Sequence, residues 1–511
     1  MTRRLIQWAV LLMLAACGAD RSASAQSSDR PFVATSIATF DSPWAMSFLP
    51  GSGVRMTNTA LVTEKPGRIW LVDVATGKKQ PVGGVPRVVV SSQGGLLDIK
   101  ASPDFAGDRL IYLTYSEPSA NGGSGLALAR AQLTQDSAGV RLSNLQRLWH
   151  DPAGGDGGQF GAIIAFAPDG KSLYLSSGER QRFTPAQDPG QPLGKILHLT
   201  LDGKPAPGNP MAGRTGAPTV TITDPPRDTE AAKSAEGRQF RWPGPNLTPA
   251  ETWSTGHRNP YGLAFDAQGR LWEAEMGPRG GDELNLILPG RNYGWPLVSE
   301  GENYDGVPIA KPSTQPQFEP AKLWWVPSIS PTSLMIYDGK LFPQWKGSGF
   351  IGTLTGTGLI RVTFHGDSAE KAEQWDVTAM GARKRIRWVG EGPDGAIYLL
   401  EDRDGARLLR LTPVQRLGRD RPDRCRKGVA VAHPARQRRS DPDARSGCQA
   451  VAMHGEDAVP VEERLGQRDI VVVRGPAAKS ECGDRAVHAG HLGRQDLDPG
   501  QADDLAHSAI A

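Results

Sequence analysis

Short runs of alternating apolar and polar residues, separated by turns rich in Asp and Gly, extend over residues 26–413. The repeating unit is strand, turn, strand. Examples are GAIIAFAPDGKSLYLSSG at 161–178, GLAFDAQGRLWEAEMG at 262–277 and RIRWVGEGPDGAIYLLEDRDGARLLRL at 385–411. In each turn an Asp/Gly pair supplies the positive-φ position that a tight hairpin needs. Six such units are readable, the other three beginning at Trp44, Gly94 and Ser333. The repetition predicts an all-β fold, a six-bladed β-propeller, whose radial arrangement leaves few exposed sheet edges. A large β-sandwich or two β domains would use the same alternation. Residues 204–251, rich in Pro, Gly and Thr, read as a long loop with little structure of its own.

Composition agrees with many short strands. The chain has 511 residues, enough for one large all-β domain, and its 61 Gly and 41 Pro favour turns over long helices. The net charge is only +3, and no Lys/Arg stripe interleaved with aromatics occurs in the patterned region, so no nucleic-acid partner is expected.

The two ends differ from the middle. Met1-Thr2-Arg3-Arg4 is a short basic stretch, followed by an apolar run from Leu5 to Ala16 that is too short to span a membrane. This reads as an export signal over residues 1–25. Leu14-Ala15-Ala16-Cys17 resembles a bacterial lipobox, with Cys17 lipidated and Gly18 behind it. The other reading is ordinary cleavage after Ala23-Ser24-Ala25. Both predict an exported, periplasmic protein, and the first adds a lipid anchor in the outer membrane. Residues 18–424 hold no cysteine, so the exported fold relies on its core and not on disulfides. Residues 414–511 contain no Phe, Tyr or Trp and no sustained periodicity. Such a segment buries little apolar surface and is expected to be disordered; a shifted reading frame in GC-rich DNA would write similar text. It has no Cys-x-x-Cys-His, so no haem is expected.

The densest chemistry lies between Trp253 and Pro296. Arg258 offers a planar fork suited to carboxylates. The Gly277–Gly281 loop and the pair Asp282-Glu283 offer hard oxygen donors suited to calcium. Taken alone, the loop also reads as an ordinary turn and Glu283 as a solvated residue. There is no nucleophile elbow and no phosphate-binding loop; GGSG at 122–125 lacks the context of a dinucleotide site.

In this segment GHRNPYGLAFD, GPRGGDELNLI and GRNYGWP resemble the signature of the soluble aldose dehydrogenases that depend on pyrroloquinoline quinone (PQQ), the glucose/sorbosone dehydrogenase family. SPWAMSFLP, TEKPGRIWLV, QGGLLDI, AQDPGQPLGKILHLTLDG, WVPSISP and RIRWVGEGPDGAIYLL follow the family's order over residues 41–412. The resemblance implies a propeller with PQQ and Ca²⁺ in a central pocket. The reaction implied is oxidation of an aldose at C1, with electrons passed to an external acceptor such as a periplasmic cytochrome. Gln93, Arg258 and Asn259 match cofactor-contacting residues. Arg385 and Arg387 match the arginines over the quinone, suited to carboxylates and to a reduced, anionic quinol. The carbonyls of Gly277 and Pro278 match ligands of the catalytic calcium. Glu283 and the carbonyl of Tyr293 match ligands of a second, structural one.

Two departures stand out. The family's general base is a histidine, and here Gln159 occupies its place in GGQFGAII, with Ile163 where an arginine is usual. An amide has no usable pKa and cannot act as a base. Asp156 and Asp188 are the candidate replacements; each reads equally as a loop cap. Where some members place a cofactor-binding lysine, this chain has Thr355. Trp324 and Trp325 are candidates for the sugar-site wall. Two other readings remain: a propeller that binds a ligand or partner without redox chemistry, and a calcium-dependent propeller hydrolase.

Overall fold

A computed structural model describes residues 30–51, 58–224, 234–355, 358–376 and 385–414. The export signal with Cys17, and all but the first residue of the aromatic-free tail, lie outside these residues.

Strand β1 (Phe32–Asp41) comes first. Strands β2 (Pro43–Phe48), β3 (Thr59–Glu64), β4 (Arg68–Asp73) and β5 (Lys79–Gly83) form an antiparallel meander, and β6 (Leu96–Ala101), β7 (Leu110–Pro118), β8 (Ser124–Asp136) and β9 (Gly139–His150) form a second. A short parallel pairing of β5 with β9, Val82 opposite Val140, joins the two into one eight-stranded sheet. A third meander consists of β10 (Gly161–Phe166), β11 (Ser172–Ser177), β12 (Lys195–Thr200) and, after an excursion, β15 (Thr252–Thr255). The excursion is not the plain loop expected for 204–251. It carries the antiparallel pair β13 (Thr219–Thr223) and β14 (Gly237–Arg241). Val220 and Ile222 alternate with Thr and pack with Phe240 and Ala153, a period-2 signal masked by the surrounding Pro and Gly.

Strands β16 (Pro260–Phe265), β17 (Leu271–Glu275), β18 (Asp282–Ile287) and β19 (Leu323–Trp325) form the next sheet. It is followed by β20 (Pro331–Ile336), β21 (Gly349–Thr353), β22 (Leu359–His365) and β23 (Ser368–Trp375). Last come β24 (Ile386–Glu391), β25 (Ile397–Glu401) and β26 (Asp404–Pro413), with β1 added antiparallel on β26 from Phe32↔Pro413 to Asp41↔Asp404. The first strand of the chain thus completes the sheet begun by the last three. Phe32 anchors that closure, buried against Trp345 and Trp375 at centroid distances of 6.2 and 5.5 Å. Burying such a ring stabilises by about 2–3 kcal/mol.

The opening strands of the sheets contact one another in a closed circuit: β2 with β6, β6 with β10, β10 with β16, β16 with β20, β20 with β24, and β24 with β2. They enclose a channel lined by, among others, Phe48, Lys100, Phe166, Phe265, Ile336 and Glu391. The predicted Asp/Gly turns are present. In the β10–β11 hairpin Gly170 takes φ +69°, and its N–H donates to the Ala167 carbonyl at 2.8 Å. In the β24–β25 hairpin Gly395 takes φ +76°. Among the described residues no helix is long and apolar enough to cross a membrane.

Candidate active site

In an antiparallel meander the start of the first strand and the end of the second lie at the same edge. Gln159, Arg258, Asn259, Arg385 and Arg387 precede or begin first strands (β10, β16, β24). Gly277, Pro278 and Thr355 follow second strands (β17, β21), and Gln93 precedes β6. The fold therefore gathers these residues, scattered over some three hundred positions, at one end of the strand circuit.

The Gln93 carboxamide oxygen is the hub. It accepts from the Gln159 backbone N–H at 2.8 Å, from the Tyr261 hydroxyl at 2.8 Å and from the Asn259 amide at 3.5 Å. Asn259 is fully buried, and its own oxygen accepts from the Gly161 N–H at 3.2 Å. Tyr261, missed in the sequence reading, also lines the central channel, so it links the site to the core.

Arg258 spans the adjacent cleft, whose walls include Gln159, Phe183, Pro278, Trp295 and Tyr304. Its Nη1 donates to the carbonyls of Met276 (3.1 Å) and Gly277 (2.6 Å), and its Nη2 to the Tyr304 hydroxyl (3.2 Å). Its Nε is buried without an acceptor. The Gln159 amide, oriented to satisfy both ends, donates to the Glu179 carboxylate and accepts from Arg258 Nη2 at 2.8 Å. Gln159 is buried and held at φ +56°, an uncommon conformation for a residue with a side chain.

Arg385 and Arg387 share one carboxylate: their Nε atoms lie 3.0 and 2.8 Å from the two oxygens of Asp402. Burial pushes the Asp402 carboxyl up, but the charges of Arg387 and Arg385 outweigh it and hold the group below the ordinary carboxylate range. Thr355 is committed elsewhere, its hydroxyl donating to the Ser328 carbonyl (2.9 Å) and contacting the Ser330 hydroxyl (3.1 Å).

The replacement bases expected from the sequence do not reach the cleft. Asp188 caps its own loop, accepting from the Gly190 N–H at 2.7 Å and the Gln191 amide at 2.8 Å, and it faces a different surface groove. Asp156 is exposed, and its charge acts on Arg180. For Asp188, loop-capping polarity accounts for the sequence signal. Trp325 is a core residue packed with Trp272 and Leu284, whereas Trp324 is exposed.

Asp282 is buried and accepts from the N–H groups of Gly277 (2.9 Å), Ile329 (2.6 Å) and Ser330 (2.8 Å) and from the Ser328 hydroxyl (2.8 Å). It shapes the Gly277–Gly281 loop; burial pushes its pKa up to about 6. Glu283 is not a solvated residue. Burial and the neighbouring Glu275 charge push it up to about 8. Beside it stand buried Glu273, Glu275 and Asn285; the Asn285 amide lies 3.1 Å from Glu273, 3.1 Å from Glu283 and 3.4 Å from Glu275. Burial and the Glu275 charge raise Glu273 well above the usual range. One oxygen of Glu273 and the side-chain oxygen of Asn285 are buried without a partner. Tyr293 packs at this cluster, stacked on His257 at 4.8 Å. Glu273 and Glu275 lie two apart on β17 and so face the same side, a pattern that was present in the sequence and overlooked.

Comparison with known proteins places this geometry in context. The family description of glucose/sorbosone dehydrogenases matches residues 40–236 and 243–410. The aldose sugar dehydrogenase YliI of Escherichia coli (strain K12) is 33% identical over 378 residues, which cover 73% of this chain and 90% of that protein. The crystal structure of the soluble aldose sugar dehydrogenase from Escherichia coli in the apo-form superposes with a TM-score of 0.62 at 30% identity, covering 75% of this chain and 100% of that one. The PQQ-bound form of the Streptomyces coelicolor aldose sugar dehydrogenase superposes with a TM-score of 0.53 at 28% identity, covering 75% and 98%.

Proposed function

Because this chain belongs to the glucose/sorbosone dehydrogenase family, a PQQ-dependent group of sugar-oxidising enzymes, we propose that it oxidises aldoses at C1 using PQQ and Ca²⁺. On this reading it is a six-bladed propeller, each blade one of the four-stranded meanders that close the circuit. The observation that carries the proposal is the convergence of Gln93, Arg258, Asn259, Arg385 and Arg387 at one mouth.

The residues fit a polycarboxylated cofactor. Arg258 has a buried Nε without an acceptor, and two guanidiniums face the single carboxylate of Asp402. That leaves net positive charge where a ligand with several carboxylates would lie. The residues that would hold PQQ are Gln93, Arg258, Asn259, Arg385 and Arg387. Thr355 offers no cation, and its hydroxyl is already engaged. When bound, PQQ supplies an o-quinone that takes up hydride, and calcium acts as a Lewis acid toward it. The chain's own part is to orient and exclude. Trp295 and Tyr304 wall the cleft and stack beside the Arg258 guanidinium, at 5.3 and 5.9 Å, which keeps its charge in a poorly hydrated place. Gln93 and Asn259 fix the floor.

The carbonyls of Gly277 and Pro278 would hold the catalytic calcium; that of Gly277 is shared with Arg258. Glu283 and the Tyr293 carbonyl would hold a second ion. The partnerless oxygens of Glu273 and Asn285 support a hard cation there. Electrons would leave to an external acceptor such as a periplasmic cytochrome. Export, and lipidation at Cys17, belong to the same reading and are tested by fractionation and palmitate labelling of the Cys17→Ser protein.

The deciding experiment is reconstitution of the full chain with PQQ and Ca²⁺ against a panel of aldoses, followed by dye reduction. Sugar-dependent reduction is expected; a protein that binds PQQ yet reduces dye with no aldose ends the enzyme reading. A second reading, a propeller that binds a ligand without redox chemistry, is favoured by one observation: the Gln159 amide is tied at both ends. No absorbance change on PQQ titration would select it.

A further inference from the structure

Glu179 is fully buried two residues beyond β11, behind the cleft wall formed by Gln159 and Phe183. One of its oxygens is anchored by two backbone N–H groups, those of Arg182 and Phe183, both at 2.5 Å. The other oxygen faces the Gln159 amide. The Glu179 N–H in turn donates to the Arg258 carbonyl at 2.9 Å, which ties the residue to the strand bearing the guanidinium. The carboxylate is therefore held at one oxygen, and the Gln159 side chain stands between its other oxygen and the cleft.

We propose that Glu179 accepts the proton leaving the sugar hydroxyl, and that Gln159 is a shutter over it, turning aside when substrate enters. The inference rests on the dehydrogenase reading. In the step, the hydroxyl O–H bond breaks and its proton passes to the free oxygen of Glu179, which becomes the neutral acid. The electron pair left on the sugar oxygen forms C=O as the C1 hydride departs to the quinone-class oxidant.

The electrostatic setting suits this role. Burial raises the Glu179 pKa, opposed by the Arg258 charge and by the backbone N–H groups of Phe183, Arg182 and Gln181. The other charges close by are Arg180 and Arg182 on its own loop, with Asp151 and Asp156 acting on Arg180 from the glycine-rich loop opposite. A base works best when its pKa is drawn toward the working pH. Glu179 is displaced in that direction, and it lies against the Gln159 amide of the cleft wall.

Glu179→Gln and Gln159→Ala test the proposal in the full chain, loaded with PQQ and Ca²⁺. Glu179→Gln is expected to lower kcat by about 100-fold or more, the usual worth of a general base, with the sugar KM nearly unchanged and the rising limb of the pH profile lost. Gln159→Ala is expected to raise kcat, because it uncovers the carboxylate. A readout independent of turnover is difference infrared spectroscopy of the cofactor-free protein: several carboxyls titrate above the ordinary range, Glu251, Glu273 and Glu283 among them, and the variant-minus-wild-type spectrum should show the loss of one such band in Glu179→Gln. The proposal is overturned if Glu179→Gln keeps its rate and pH profile, or if no such band is lost in the variant. Should Glu179→Gln not fold, Gln159→Ala decides alone: a large loss of kcat there makes residue 159 itself the working group. A wild-type protein inactive toward every aldose removes the dehydrogenase reading itself, and this proposal with it.

Discussion

The Tyr261 hydroxyl donates to the Gln93 carboxamide oxygen at 2.8 Å across 168 positions of sequence. This bond fixes which way the Gln93 amide points, and hence which group it presents to the proposed cofactor pocket. Tyr261→Phe removes one donor of three while keeping the ring packed on Trp44 at 5.8 Å. The loss is about 1 kcal/mol, so PQQ affinity should fall roughly fivefold with little change in melting temperature. An absorbance titration checks this; unchanged affinity would remove Gln93 from the cofactor contacts.

Asp402 is the counter-charge of Arg385 and Arg387, and its folded pKa is depressed. A depressed carboxylate contributes stability that is present above the unfolded pKa and is lost as pH falls through the folded value. Asp402→Asn should thus destabilise the cofactor-free protein by about 3 kcal/mol at neutral pH, because two guanidiniums lose a shared counter-charge. PQQ carboxylates would partly replace it. The melting-temperature rise on adding PQQ should therefore be larger in the variant than in the wild type, and a smaller rise would contradict the placement of the two arginines over the cofactor.

The acidic cluster predicts a calcium-dependent stability. Chelation should lower the melting temperature of the wild type, and added Ca²⁺ should restore it. Glu283→Gln should blunt that response while leaving the opening strand circuit intact. Calorimetry with and without chelator is the check; an equal calcium response in both proteins would place the ion elsewhere.

Glu251 offers a pH test far from the site. Its buried carboxyl has one partner, the Trp149 indole N–H at 3.0 Å, and burial pushes it up to about 7. A raised folded pKa means stability that is full below the unfolded value and declines as pH rises through the folded one. The protein should lose on the order of 3 kcal/mol between about pH 4.5 and pH 7 from this group. Glu251→Gln keeps an acceptor for Trp149 and should flatten that part of the curve, raising the melting temperature at pH 8. A curve of unchanged slope would contradict the assignment.

Apart from the β13–β14 pair, sequence by itself determined the strands and hairpins of this protein, because alternation and Asp/Gly turns act over a few residues and answer to local sterics. It also supplied the site residues that sit in dense motifs, such as Arg258, Asn259 and Gly277. Residue 159 was legible as a departure, since an amide in place of a base is a matter of chemistry alone. Tertiary structure decided what stands beside it. Asp188 is separated from Gln159 by 29 positions and Glu179 by only 20, yet proximity in sequence does not distinguish them. Asp188 spends its oxygens on its own turn, while the segment just beyond β11 carries Glu179 against the Gln159 amide. The same holds for Tyr261 with Gln93 and for Asp402 with its two arginines. These pairings arise only when the opening strands close into a circuit and bring distant loops to one end. That closure depends on the summed burial of many strands, and no short window of sequence contains it.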